Sequence, residues 1–206
     1  MRQAAVVSVF FILMVALLSG CAAGSYSGRS EEPALDRKFS LTSYIEEGTQ
    51  LALIVGVRPA GIVKNQGYVP FEIGVANRGM EKLTITPESF ILVDENGNRY
   101  PVVSSEELYR EYRRVDVDRR LGEIFQVMLG KYQTYTLVPS NFTPSFDAPS
   151  LVPNAYIPRY GMMYDLIYFP EPETGVRGRR FELFMNAPEL ENPVFVQFRI
   201  GGKAGQ

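Results

Sequence analysis

"VPFEIGVANRGMEKLTITPESFILVDENGNRYP", residues 69–101, contains three runs of alternating apolar and polar side chains separated by turn chemistry. In the first run Phe71, Ile73 and Val75 fall on one face at period two, with Glu72, Gly74 and Ala76 on the other. That pattern predicts a strand with one face in a core and one toward water. Asn77-Arg-Gly-Met80 supplies a turn, and Leu83 and Ile85 alternate again until Pro87 stops the run. Phe90-Ile-Leu-Val93 and Arg99-Tyr-Pro-Val-Val103 flank Asp94-Glu-Asn-Gly-Asn98. Asn96 and Gly97 tolerate positive φ, so this segment predicts a hairpin.

Strand patterns recur on both sides of this stretch. Leu51, Leu53, Val55 and Val57 share one face over 51–57. Further runs cover 162–169 and 181–185, and over 194–200 Val194, Val196, Phe198 and Ile200 oppose Gln197 and Arg199. Seven or eight short strands with turns between them predict a two-sheet β-sandwich. The period changes once. Ser104-Ser-Glu-Glu107 matches a capping box, followed by Leu108, Tyr112 and Val115 at helical spacing. A second amphipathic stretch carries Val117, Leu121, Ile124, Phe125, Met128 and Leu129. Two short helices are therefore expected, inserted at about 104–132. Five prolines in 138–160 predict a long irregular loop after them.

The spacing Phe71-x-Ile-x-Val-x-Asn77, then Leu83-x-Ile85, then Pro87-x-x-Phe90-x-Leu92-x-Asp94-x-x-Gly97-x-x-Tyr100-Pro101 resembles the immunoglobulin-like sandwiches of bacterial surface lipoproteins. The later runs are similar to that domain's closing strands. The resemblance extends loosely over 48–201 and implies a mainly β, immunoglobulin-like domain with a two-helix insertion.

The N-terminal segment carries a separate signal. Arg2 precedes a 15-residue run, Ala4 to Leu18, that is apolar except for Ser8. A spanning helix takes about 20 residues, so the run reads as the core of a secretory signal. It leads into Leu18-Ser19-Gly20-Cys21, which resembles the lipobox of bacterial prolipoproteins. The resemblance implies cleavage between Gly20 and Cys21, thioether diacylglycerol on Cys21, and acylation of the new amino group with palmitate-type chains. A thiolate is the side-chain nucleophile suited to such alkylation. Ala22 after the cysteine resembles lipoproteins sorted to the outer membrane, facing the periplasm. The expected organisation is a signal peptide over 1–20, a lipidated flexible tether over 21–38 rich in Gly, Ser and charge, and the sandwich over 39–206. Two or three acyl chains hold a protein on a bilayer stably.

Composition narrows the function further. There is no histidine and one cysteine, which removes Ser-His-Asp and Cys-His catalysis, an intramolecular disulfide, and the ordinary nitrogen and sulfur metal sites. Met162, Met163 and Met185 read as packing rather than copper ligands. The net charge of −2, or −3 once Arg2 is removed, gives no footprint for nucleic acid. No cofactor, metal or catalytic residue is expected. The predicted role is a non-catalytic binding or scaffolding module for another envelope protein; the alternative is a periplasmic hydrolase or carbohydrate-active protein using carboxylates that the sequence does not place. Candidate partner-surface residues are Arg113, Arg114 and Arg119, interleaved with acids, together with Phe142, Phe146, Tyr156 and Tyr160 around the proline-rich loop. A salt-bridged solvated face and local loop packing are the alternatives for these two groups.

Overall fold

The computed structural model describes residues 37–63 and 66–201. The chain divides into units spanning 1–33 and 34–206, and the described residues belong to the second. The signal peptide, Gly20, Cys21 and the tether up to residue 36 lie outside them. No helix among the described residues is long and apolar enough to cross a membrane.

Twelve strands are described, in three sheets. The largest has β1 (Lys38–Ser40), β2 (Ser43–Glu47), β3 (Leu51–Gly56), β4 (Tyr68–Asn77), β10 (Gly161–Pro170) and β8 (Thr136–Leu137), in that spatial order. A four-stranded sheet runs β12 (Val194–Arg199), β11 (Arg180–Met185), β6 (Phe90–Asp94), β7 (Arg99–Pro101). β5 (Lys82–Ile85) and β9 (Ala155–Pro158) form a two-stranded ribbon. β4 and β10 are antiparallel over their whole length, from Tyr68 opposite Pro170 to Asn77 opposite Gly161.

The three sheets close on one core. Leu53, Val55, Phe71, Ile73, Val75, Ile167 and Phe169 from the large sheet meet Phe90, Leu92, Leu183, Met185, Val196 and Phe198 from the second. Leu83, Ile85 and Ile157 of the ribbon close the remaining side. Phe198 sits 5.4 Å from Phe71 across the sheets and 6.1 Å from Phe181 within its own, ring centre to ring centre. Each such ring removed from water contributes about 1.5–3 kcal/mol. The predicted β-sandwich is thus present as mainly β architecture with facing sheets, and the inward faces of 51–57, 71–75 and 194–200 are those read from period two. The hairpin at 94–98 also forms, with Gly97 at φ 84°.

Several expectations are corrected. The outer face of the large sheet is dry: Glu72, Gly74 and Ala76 are buried, as are Ala52, Ile54 and Met162. Helices cover them. The insertion holds three helices rather than two: α2 (Ser105–Glu111), α3 (Val115–Leu121) and α4 (Ile124–Lys131); the short α1 (Arg58–Ile62) precedes β4. Gly122 breaks the second amphipathic stretch, and a Cβ there would lie 2.5 Å from Glu72 Oε1. Ile124, Met128 and Tyr132 pack on Ile54, Ala76 and Met162, while Leu108, Tyr112 and Val115 pack on Tyr68, Leu166 and Tyr168. A sheet buried on both faces needs no polar alternation. The 138–160 segment is not wholly irregular either, since β9 forms within it and Asn141 bridges Val152. β1 and β2, which precede the first strand read from the sequence, extend the large sheet.

Candidate functional site

α2 begins at Ser104, whose hydroxyl accepts the Glu107 N–H at 3.2 Å, as the capping signature predicts. Glu106 pairs with Arg110 one turn later, and Glu107 and Glu111 reach the Tyr68 hydroxyl at 3.0 and 2.6 Å. The chain leaves the helix at Tyr112, turns, and starts α3 at Val115. Opposite them runs the proline-rich loop. Between the two lies an open cleft of about 740 Å³, lined by Tyr109, Arg113 and Asp116 on the helical side and by Pro144, Phe146 and Pro149 on the loop side.

The floor of this cleft is held by buried polar contacts. The fully buried Asp118 accepts from the Tyr112 hydroxyl at 2.6 Å and the Tyr168 hydroxyl at 3.2 Å, and Arg114 approaches its other oxygen at 3.8 Å. Burial raises the Asp118 carboxyl above its ordinary range, with the two hydroxyls and Arg114 acting in the opposite sense. The loop is fixed from two directions. Arg119 donates to Asn141 Oδ1 and to the Thr143 carbonyl at 3.1 and 3.0 Å. Asp165, fully buried in β10, accepts the Phe142 N–H at 2.9 Å, and burial raises its carboxyl too.

These contacts sort the residues singled out in the sequence. Arg113 is exposed on the cleft wall and has no ion-pair partner among the described residues. Phe146 stands 93% exposed at the loop lip, and Tyr109, which the sequence reading did not single out, faces it at 66% exposure. Arg114 and Arg119 are half-buried and engaged inward, so they support the cleft rather than present a surface. Phe142 is not exposed at all: at 3% it belongs to the main core, because its backbone is drawn in by Asp165. Tyr156 on β9 and Tyr160 in the β9–β10 turn lie apart from the cleft, on the segment joining the ribbon to β10. Met162 and Met163 point to opposite sides of the large sheet, into separate cores.

A second cleft, of about 350 Å³, is lined by residues of the four-stranded sheet and its hairpin, among them Asp94, Glu95, Arg180, Glu182 and Gln197. Asp94 is fully engaged by Asn96, Asn98 and Tyr100, Glu95 pairs with Arg179, and Glu182 accepts from Gln197. In the first cleft Glu106 is paired with Arg110, and Asp116 accepts the Asp147 N–H at 3.4 Å. The side-chain hydrogen bond from Ser145 leads the causes that hold Asp116 below its usual range. Every carboxylate lining either cleft has a partner. No group of three or more acidic or cysteine side chains suited to a metal occurs among the described residues.

One buried acid stands apart from both clefts. Glu72 lies under the junction of α3 and α4, where its Oε1 accepts the Ile124 N–H at 3.0 Å and the Tyr164 hydroxyl at 3.2 Å. α4 has no cap from its own sequence, because the Glu123 side chain turns to Thr42 and Arg58 instead. Glu72 therefore caps it from the sheet. Its Oε2 has no hydrogen-bond partner, and burial pushes the carboxyl up to about 7 against the pull of Ile124, Tyr164 and Arg58.

No protein-family model matches this chain, and no curated protein matches it. Among solved structures it is similar to that of a lipoprotein candidate, ycdA, from Bacillus subtilis subsp. subtilis str. 168, with a TM-score of 0.41 and 11% identity over 77% of this chain. This chain spans 39% of the length of that protein.

Proposed function

We propose that this chain is an envelope lipoprotein, anchored through acylated Cys21 in the outer membrane and facing the periplasm, whose immunoglobulin-like sandwich is a non-catalytic module that docks another envelope protein. The cleft between α2 and the proline-rich loop is the docking surface. One observation carries this reading: Tyr109 and Phe146, two large exposed rings, flank a cleft whose floor and walls are fixed by buried polar ties. Rigid aromatic anchors around a preformed cleft are what protein interfaces favour. Arg113, which lines the same cleft and has no ion-pair partner among the described residues, fits a carboxylate, so the partner is an extended acidic segment with apolar side chains for the two rings. The partnered state of the cleft carboxylates supports binding over hydrolysis.

A photo-crosslinking side chain placed at Phe146 in living cells tests the docking surface. Adducts to one envelope protein are expected there, lost in Tyr109→Ala and absent from a probe at Glu95 in the other cleft. Equal adducts at both positions refute the surface. Cys21→Ala is expected to abolish palmitate labelling and membrane association, and labelling that persists in that variant refutes the anchor.

A further inference from the structure

The β4–β10 ladder has two unlike ends. The cleft lies at the end where β4 starts, beside Tyr68 and Tyr168. Nine residues later, about 30 Å along the strand, β4 finishes at Asn77 against Gly161. The first described residue, Arg37, lies toward this second end, where its charge acts on Glu47. Arg37 accepts the Ile45 N–H through its carbonyl at 2.9 Å, and β2 then runs on to Glu47, opposite Ala52 of β3. Cys21 is 16 residues upstream in the sequence, a separation that cannot exceed about 55 Å even for fully extended chain.

The surface gathered at this end has a composition of its own. Behind it Tyr132 is buried in the helix layer, and the half-buried Tyr135 and exposed Tyr160 follow it outward with ring separations of 5.1 and 5.7 Å; the Arg159 guanidinium lies 5.2 Å from the Tyr160 ring. Tyr156 follows on β9 with the Lys82 ammonium 5.8 Å from its ring. Tyr156 and Tyr160 are 58% and 51% exposed. Tyr160 is the single non-glycine residue at positive φ among the described residues, at 58°, pinned by hydrogen bonds to Asn77 and Thr136. A turn of this kind is easier for Gly or Asn, so an exposed tyrosine there is retained at a conformational cost. Arg37, Arg78, Lys82, Lys131 and Arg159 face Glu46, Glu47, Glu81 and, beside Lys82, Glu189. Lys131 and Arg78 both engage Glu47, at 2.7 and 3.3 Å.

Tyrosine rings with Lys and Arg beside them are the side chains that settle at the headgroup level of a bilayer, where one edge of the ring is wet and the other apolar. We infer that the end carrying Tyr135, Tyr156, Tyr160 and Arg159 rests against the phospholipid surface, so that the cleft points away from it. This rests on the anchoring of Cys21 proposed above. The occupant is a lipid surface because Arg37, the first described residue after the acylated position, lies toward this end, within the covalent reach of Cys21. The tyrosines carry the contact, and the small excess of cations adds to it.

The chain has no tryptophan, so a single one reports its own surroundings. Full-length acylated protein carrying Tyr160→Trp, and separately Tyr135→Trp, is reconstituted in phosphatidylethanolamine–phosphatidylglycerol vesicles containing brominated lipid, with Phe146→Trp as the distal comparison. Blue-shifted emission with loss of intensity to the bromines is expected at 160 and 135, and neither change at 146. Protein that co-sediments with the vesicles but shows unquenched emission at both 160 and 135, or quenching at 146, overturns the inference while leaving the anchor intact. Protein that lacks acyl mass on Cys21 and stays in the supernatant overturns the anchor, and this orientation with it.

Discussion

Replacing Glu72 with glutamine is expected to stabilise the fold, and to do so more as pH rises. The folded-state value of about 7 lies above the ordinary 4.5, so the native protein holds this proton more tightly than the unfolded chain. Between those two values the native state binds more protons, and stability falls as pH increases. The unfavourable term is small at pH 5 and complete above pH 7. At 1.36 kcal/mol per tenfold change in proton affinity, its growth from pH 5 to pH 8 comes to about 2.5 kcal/mol. Glutamine retains an oxygen for the Ile124 N–H and the Tyr164 hydroxyl, and removes the charge whose Oε2 lacks a partner. Urea titrations of both proteins at pH 5 and pH 8, with equal m-values, isolate the effect, because Asp118, Asp165 and the other shifted groups cancel in the difference. A variant whose advantage does not grow with pH, or that is weaker than the parent at pH 8, refutes the reasoning.

Three further outcomes follow from the same contacts. Gly56→Ala places a Cβ 2.6 Å from Glu72 Oε2 and 2.8 Å from Ile124 Cγ2, so a loss of about 1–3 kcal/mol is expected in urea unfolding; a loss near zero would mean the helix layer yields freely. Tyr112→Phe removes the 2.6 Å bond to Asp118 and should cost about 1–3 kcal/mol, more than Tyr168→Phe, whose bond is 3.2 Å. The reverse ranking contradicts the assignment of Tyr112 as the principal partner. Arg119→Met releases the loop at Asn141 and Thr143, and limited proteolysis should cut within 139–150 faster than in the parent; unchanged cleavage would show that Asp165 alone holds it.

The inward faces of the sandwich strands were legible because Phe71, Ile73, Val75, Leu183 and Phe198 obey a period of two enforced by the pleat. What escaped was the opposite face of the same strand. Glu72, Gly74 and Ala76 read as solvent-facing, since an acid and two small residues carry no apolar signal. Their smallness is the clue in hindsight: a Cβ at Gly74 would stand 2.2 Å from Met128 Sδ, so a close-lying helix requires glycine there. Local pattern cannot show that, because it depends on residues more than 50 positions downstream. The third helix was hidden in the same way, α4 taking its cap from β4 rather than from a neighbouring side chain. Of the cleft, Arg113 and Phe146 were legible by type. Tyr109 was not, since on α2 it differs from the buried Tyr112 only in the direction the helix turns it. Phe142 misled because it lies four positions from Phe146 in the same loop, and the ties to Asp165 and Arg119 that draw it inward come from distant elements.

The sheet margins carry a last consequence. β1 is three residues with a shifted register, β8 two residues and β7 three, so three of the four margins of the main sheets offer little backbone for another strand to join. The fourth, β12, begins directly after Pro193 and ends on exposed Arg199, whose carbonyl already accepts the Tyr44 hydroxyl. Short or blocked margins of this kind discourage strand-to-strand polymerisation. Copies of this chain packed densely in two dimensions would jostle side by side without fusing into a continuous β-ribbon.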